Sequence, residues 1–208
     1  MSGIQNFEAF VLASIMLNLI PGPDTFYILG RSMAQGKRTG IASALGISAG
    51  AVCHTLMAAV GLSALITASP VAFTAVKWAG AAYLVYMGIK MVLTRQSGLG
   101  GNGPLTDQSF GGVFRQGLIT NALNPKVALF FLAFLPQFIA PDSTSHFTSF
   151  LLLGLTFVVT SSVYGLCLAT ASAFISKKLR ENPAYLNYLN KFTGTLLVGL
   201  GVRLALDK

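Results

Sequence analysis

Apolar residues in this chain come in long unbroken runs rather than in alternation, as in Val127–Leu135 (VALFFLAFL) and Leu151–Val159 (LLLGLTFVV). Two stretches, Thr39–Val76 and Ser143–Ser176, contain no Asp, Glu, Lys or Arg. Each exceeds the ~20 residues that a helix needs to cross the hydrocarbon core of a bilayer. A closed β-barrel also satisfies every backbone group in lipid, but its strands alternate apolar and polar positions. The pattern therefore predicts an all-α integral membrane protein. Six transmembrane helices can be drawn, at Phe7–Leu29, Ile41–Ala68, Val71–Leu93, Val113–Ala140, Phe147–Ser176 and Tyr185–Leu206. Lys77 and Lys90 stand near the ends of the third, where lysines snorkel to the interface. In the sixth, only eleven uncharged residues separate Lys191 from Arg203, and a five-span arrangement with a surface-lying final helix is the alternative.

Composition agrees with burial in lipid. Apolar residues make up 53% of the 208 and charged residues 10%, against the ~25% charged that soluble domains carry. The formal charge of +8 would suggest nucleic acid if it formed one face. Its placement suggests topology instead. Ten of the fourteen basic residues (Arg31, Lys37, Arg38, Lys90, Arg95, Arg115, Lys177, Lys178, Arg180 and Lys191) fall in connections and flanks on one side of the six spans. The positive-inside rule makes that side cytoplasmic and places both termini outside, with no nucleic-acid partner. The N-terminal MSGIQNFEAF lacks the basic flank of a secretory signal and reads as the start of a retained first span.

The connection Thr94–Gly112, rich in Gly, Ser, Pro and Asn, lies near the middle of the chain. It divides a single transmembrane domain, 1–208, into a first repeat (about 1–96), a flexible connection (about 97–112) and a second repeat (about 113–208). Each repeat has three spans, an odd number, so the second enters the membrane from the opposite face. The fold expected is two inverted three-helix repeats. NLIPGPDTFYIL in the first span and NALNPKVALFFL in the fourth carry Pro23–Asp24 and Pro125–Lys126 at a common offset of 102 residues, and the preceding Asn18 and Asn121 fit with a one-residue gap.

Those prolines carry the functional argument. A proline inside a helix removes a donor and displaces the carbonyl one turn earlier. Pro21, Gly22 and Pro23 should break the first helix, and Asn124 with Pro125 should break or kink the fourth. In lipid the freed groups must be met by protein or cavity water, and interrupted helices at matching positions of two inverted halves point to a secondary transporter's binding site. Beside each break lies a charge. Counting from Arg31 and Arg115 at the helical rise puts Asp24 about 10 Å and Lys126 about 16 Å from the cytoplasmic boundary. At that depth a charge is a functional candidate. Either the two form a structural ion pair, or they recognise a zwitterion, Asp24 facing its ammonium and Lys126 its carboxylate; proton coupling through Asp24 is a compatible variant.

Other candidates are weaker. His54 suits a proton relay, a metal ligand or, most simply, a hydrogen bond to a neighbouring helix. His146 is the only other histidine, so no metal site is expected. Cys53 and Cys167 lie in apolar segments of related spans, which frames the alternatives of a membrane thiol-relay protein or a heavy-metal exporter, although small core residues explain them more simply. Ala42, Gly46 and Gly50 form a small-residue helix face. No phosphate-binding loop, HExxH or nucleophile with its base is present in the sequence, so no catalytic residue and no cofactor are assigned and an enzyme is not expected.

Four segments, NLIPGPDTFYIL (Asn18–Leu29), GKRTGIASALGISAG (Gly36–Gly50), KWAGAAYLVYMGIK (Lys77–Lys90) and NPKVALFFLAFLPQF (Asn124–Phe138), make the chain resemble the lysine exporter superfamily in its homoserine/threonine resistance (LysE/RhtB-type) branch. The resemblance implies an antiporter-like exporter of amino acids or close derivatives in the bacterial inner membrane, driven by the proton gradient or a related exchange, and suggests a homodimer in the lipid. The family's PGP break falls on Pro21–Pro23 and its NPK motif on Asn124–Lys126. The charge count adds that one Asp–Lys pair suits a neutral substrate of the homoserine, threonine or leucine type better than lysine or arginine.

Overall fold

A computed structural model describes residues 3–93, 108–140, 143, 145–181 and 183–206. These residues are almost wholly helical and contain no strand, only an isolated bridge between Ile4 and Ile139. In chain order the helices are α1 (Phe7–Leu19), α2 (Pro23–Gln35), α3 (Lys37–Met57), α4 (Ser63–Ala68), α5 (Pro70–Leu93), α6 (Phe110–Ala122), α7 (Pro125–Leu129), α8 (His146–Glu181) and α9 (Pro183–Leu206). A π-helical turn, Ala58–Leu62, joins α3 to α4, and a second, Phe130–Phe134, continues α7 into a 3₁₀ turn at Leu135–Phe138. Most of the connection expected at 97–112 lies outside the described residues. Its last three residues belong to α6, which starts at Phe110 under a Ser109 cap.

Both expected breaks are present. The first span divides into α1 and α2, bent by 51°, and the fourth into α6 and the helical run Pro125–Phe138, bent by 46°. The cause is local. A residue preceding proline is pushed out of the helical region into extended backbone. Ile20 (φ −69°, ψ 112°), Gly22 (φ −149°, ψ −170°) and Asn124 (φ −75°, ψ 110°) each precede a proline and are extended. Pro23 and Pro125 then open new helices at their first turn, where a missing N–H costs nothing. Pro136 has the same effect further on: it cannot donate to the Leu132 carbonyl, and the helix passes through π and 3₁₀ turns around it.

Lys37–Leu65 and His146–Ser172 are each long and apolar enough to cross a membrane, and both bent pairs qualify as single units. Trp78–Leu93 is apolar but shorter. Large apolar side chains point outward along these helices, among them Leu12, Val60, Tyr86, Val159 and Val163, as lipid contact requires. Inside, Phe10, Phe130, Phe131, Phe134, Phe138 and Phe157 form an aromatic core, with Phe130 5.1 Å from both Phe134 and Phe157. This core packs α1 and α8 against the π and 3₁₀ turns that follow α7.

Glycines set the closest helix approaches. A Cβ on Gly46 would strike the Phe114 carbonyl, and one on Gly117 the Ser43 carbonyl, so α3 and α6 meet backbone to backbone. The Ala42–Gly46–Gly50 face is therefore used for packing within the chain. α5 and α9 cross as tightly, with Gly88 against the Gly194 carbonyl.

Candidate functional site

Breaking a helix frees carbonyls at its C-terminal end, and the site is built from the groups that answer them. In an unbroken helix the Leu17 carbonyl would accept from residue 21, which is Pro21 and has no N–H. Instead the Lys126 ammonium donates to the Leu17 carbonyl at 3.2 Å and to the Ile20 carbonyl at 3.0 Å. Lys126 is 7% exposed. Its charge sits at the negative end of the α1 dipole. Gly22 makes room for it: a Cβ there would lie 3.3 Å from the Lys126 Nζ. Gly22 thus matters for the space it leaves and not for its backbone, whose extended conformation suits any residue.

The second break is met in the same way. The Asn121 carbonyl loses its helical partner because residue 125 is Pro125. It accepts from the Asn124 N–H at 2.8 Å and lies 3.1 Å from His54 Nε2 on α3. Each break is thereby capped from the other half of the chain: Lys126 caps α1, and His54 caps α6. Lys126 takes a further fixed place in its own half, where the Asn124 side chain caps α7 by accepting from the Lys126 N–H at 3.0 Å.

Asp24 stands in the first turn of α2, where the helix dipole favours an anion. Asn121 Nδ2 donates to its Oδ2 at 2.9 Å. Lys126 does not hydrogen-bond Asp24, because its ammonium is directed to the α1 carbonyls. Three buried polar atoms next to the breaks have no protein partner: Asp24 Oδ1, Asn121 Oδ1 and Asn124 Nδ2. The amide orientations follow from the bonds they make. Asn121 must turn its NH₂ to the acceptor-only carboxylate, and Asn124 must turn its oxygen to the Lys126 N–H. What remains is two acceptors and one donor, each costing about 1–3 kcal/mol while unsatisfied.

Pro21–Pro23 and Asn124–Lys126 face one another across a cavity of about 340 Å³, whose remaining wall is Phe26, Met87, Lys90 and Met91. Leu17 and Ile20 line a second cavity, of about 660 Å³, that runs past Phe134 to Gln5 and Gln137. The Lys126 seat on the Leu17 and Ile20 carbonyls thus joins the walls of both. His54 borders a third, apolar cavity of about 420 Å³ between the two π-turns.

Every predicted site residue therefore lies at or beside the breaks. Asn18 reaches the other way, its Nδ2 donating to Thr160 Oγ1 on α8 at 3.3 Å. Thr25 and Tyr164 meet at 3.4 Å, and neither Thr25 nor Thr160 stood out in the sequence. Their signal was spacing, since Thr160 and Tyr164 are four apart and share one face of α8. Arg31, counted above as a flanking charge, is 2% exposed. It donates to Gln35 Oε1 at 2.9 Å and Gln116 Oε1 at 2.8 Å, and stacks on the Tyr27 ring. Cys53 and Cys167 are separate free thiols. Among the described residues no three His, Cys, Asp or Glu side chains gather as a metal site would need.

A family model for LysE type translocators matches residues 15–208. The chain belongs to that family. A leucine efflux protein of Salmonella choleraesuis (strain SC-B67) is 31% identical over 98% of this chain and 96% of its own length. One from Enterobacter sp. (strain 638) is 32% identical over the same shares. An uncharacterized membrane protein of Vibrio cholerae is 31% identical over 99% of this chain and 98% of its own. No solved structure matches the chain. Membership makes the chain a multi-pass bacterial membrane protein of a translocator family, in accord with its apolar helices and its two broken pairs.

Proposed function

We propose that the protein is a secondary exporter of neutral amino acids of the leucine type. The observation that carries this reading is the set of orphaned atoms at the breaks. Asp24 Oδ1 and Asn121 Oδ1 are two acceptors suited to an α-ammonium, and Asn124 Nδ2 is a donor suited to a carboxylate. Asn124 lines a cavity that Phe26, Met87, Met91 and three prolines also wall, an apolar lining suited to a branched aliphatic side chain. The names of the similar leucine efflux proteins support the same substrate class.

Transport proceeds by alternating access between two inverted three-helix repeats, about 1–96 and 113–208, with both termini on the outer face of the inner membrane and protons as the coupling ion. Supporting the repeats are two proline breaks at one offset, each bent by a similar angle and each capped from the opposite half. Supporting an ion-coupled role for Asp24 is its placement: a carboxylate with one bonded and one unbonded oxygen, in the wall between the halves.

The test is efflux of labelled leucine from preloaded proteoliposomes, with and without an imposed proton gradient. Leucine efflux that quickens with an inward proton gradient, and falls at least about tenfold in Asp24→Ala, is expected. Wild-type vesicles that retain leucine, isoleucine, threonine and homoserine alike would sink the substrate class. Gradient-independent efflux would remove the proton.

A further inference from the structure

We propose that Lys126 determines the class of substrate: its ammonium fills a cation seat at the C-terminal end of α1 and so excludes amino acids that carry a second positive charge. This rests on the exporter reading above and deepens it.

The seat is a feature of the backbone. Pro21 deprives the Leu17 carbonyl of its helical donor, Ile20 is extended by the same proline, and the two oxygens converge on one nitrogen at 3.2 and 3.0 Å. A helix C-terminus adds negative potential at that point. Any ammonium reaching it would be held, and a side-chain ammonium of a diamino acid is such a group. Lys126 holds the place first, with 7% of its surface exposed and Gly22 packed against its stem, so no room is left for a second cation. The cavity below strengthens the exclusion. Lys126 and Lys90 both line it, and no carboxylate does, so a lysine or arginine side chain entering it meets only like charge. A leucine side chain meets proline, phenylalanine and methionine. Asp24, the acid at the break, is the partner for the α-ammonium that every amino acid carries, and so cannot discriminate among them.

Removing the resident cation should therefore convert an excluding site into an accepting one. The full-length protein is purified in detergent as wild type, Lys126→Met and Lys126→Arg, and its thermal midpoint is followed against L-leucine, L-lysine and n-butylammonium. The last is a bare cation on a stem of lysine length, a probe of the seat alone. Wild type and Lys126→Arg should be stabilised by leucine and be indifferent to lysine and butylammonium. Lys126→Met should be stabilised by lysine and by butylammonium, with an affinity for each at least about tenfold above wild type. Lys126→Met that melts cooperatively but ignores both cations overturns the proposal, as does a wild type stabilised by lysine as strongly as by leucine. If Lys126→Met melts cooperatively only with butylammonium present, the seat is supported. If it does not melt cooperatively under either condition, Lys126→Gln replaces it, keeping an amide NH₂ donor without the charge and expected to gain lysine binding. Failure of that gain overturns the proposal. A wild type indifferent to leucine and every other neutral amino acid would instead count against the exporter reading, while the butylammonium arm still reports on the seat.

Discussion

The bond between Asn121 and Asp24 ties the two broken helices to each other, and Asn121→Ala removes it. The asparagine is 1% exposed and donates to Asp24 Oδ2 at 2.9 Å. Since Oδ1 already has no protein partner, the substitution leaves the carboxylate without any protein hydrogen bond. A hydrogen bond to a charged group contributes about 1.5–3 kcal/mol. Alanine keeps the Cβ that packs against Gly50, and the main-chain carbonyl facing His54 is untouched, so other losses are small. In the proposed site the same bond would also hold Oδ1 in place for the substrate's ammonium. Leucine affinity should therefore fall roughly tenfold to a hundredfold.

A double-mutant cycle separates this pair from its surroundings. Leucine affinity is measured by thermal stabilisation in wild type, Asn121→Ala, Asp24→Asn and the double variant. Two residues in one hydrogen-bond network give interaction energies of about 0.5–3 kcal/mol. A value above 1 kcal/mol is expected here. Additive losses, with an interaction below about 0.5 kcal/mol, would show that Asn121 and Asp24 act independently and would refute the argument that one positions the other.

Gly22→Val should abolish leucine efflux while Gly22→Ala largely retains it, because a single Cβ 3.3 Å from the Lys126 Nζ can be absorbed by a flexible stem and a branched side chain cannot; equal efflux from both would argue against close packing. His54→Leu should lower stability by about 1 kcal/mol, read as a lower thermal midpoint, and His54→Gln, which keeps a donor for the Asn121 carbonyl, should recover most of it. Pro125→Ala restores the N–H that the Asn121 carbonyl lacks; the protein should melt higher and transport less, and unchanged efflux would show that the second break is dispensable. At the α5–α9 crossing, Gly88→Leu drives a side chain into the Gly194 carbonyl and should cost about 1–3 kcal/mol of stability, visible in the thermal midpoint.

Proline chemistry is local, and it is the part of this protein that the sequence makes legible. Pro21, Pro23 and Pro125 mark both breaks to within a residue, and the apolar runs mark the helices between them. The groups that answer the breaks come from distant segments and leave no local trace. Asp24 and Lys126 look like an ion pair because they are opposite charges at matching offsets. The structure gives Lys126 to two carbonyls instead, since Pro21 had already created a stronger demand at the end of α1. Arg31 reads as an interfacial charge until Gln116, from another helix, is seen to receive it. The π-turn at Ala58–Leu62 has no residue in it that would announce it, whereas the turn at Phe130–Phe134 precedes Pro136.

This exchange of caps between halves bears on how such a protein moves. Under alternating access, one half rocks against the other around the breaks, and the bonds that cross between halves must part: Lys126 from Leu17 and Ile20, His54 from Asn121, Asn121 from Asp24. With nothing to replace them, each parting leaves a buried donor or acceptor at about 1–3 kcal/mol. In the proposed mechanism that cost would keep the empty carrier from cycling freely. A zwitterion at the same place can take over part of the load, its ammonium on Asp24 and its carboxylate on Asn124 or on a released Lys126. A ligand shifts a two-state equilibrium only by its differential affinity for the two states. In the proposed exporter that differential would arise because the substrate's ammonium can take the place of Asn121 on Asp24 and its carboxylate can pair with a Lys126 released from α1, so some of the bonds that join the halves are ones the substrate can replace.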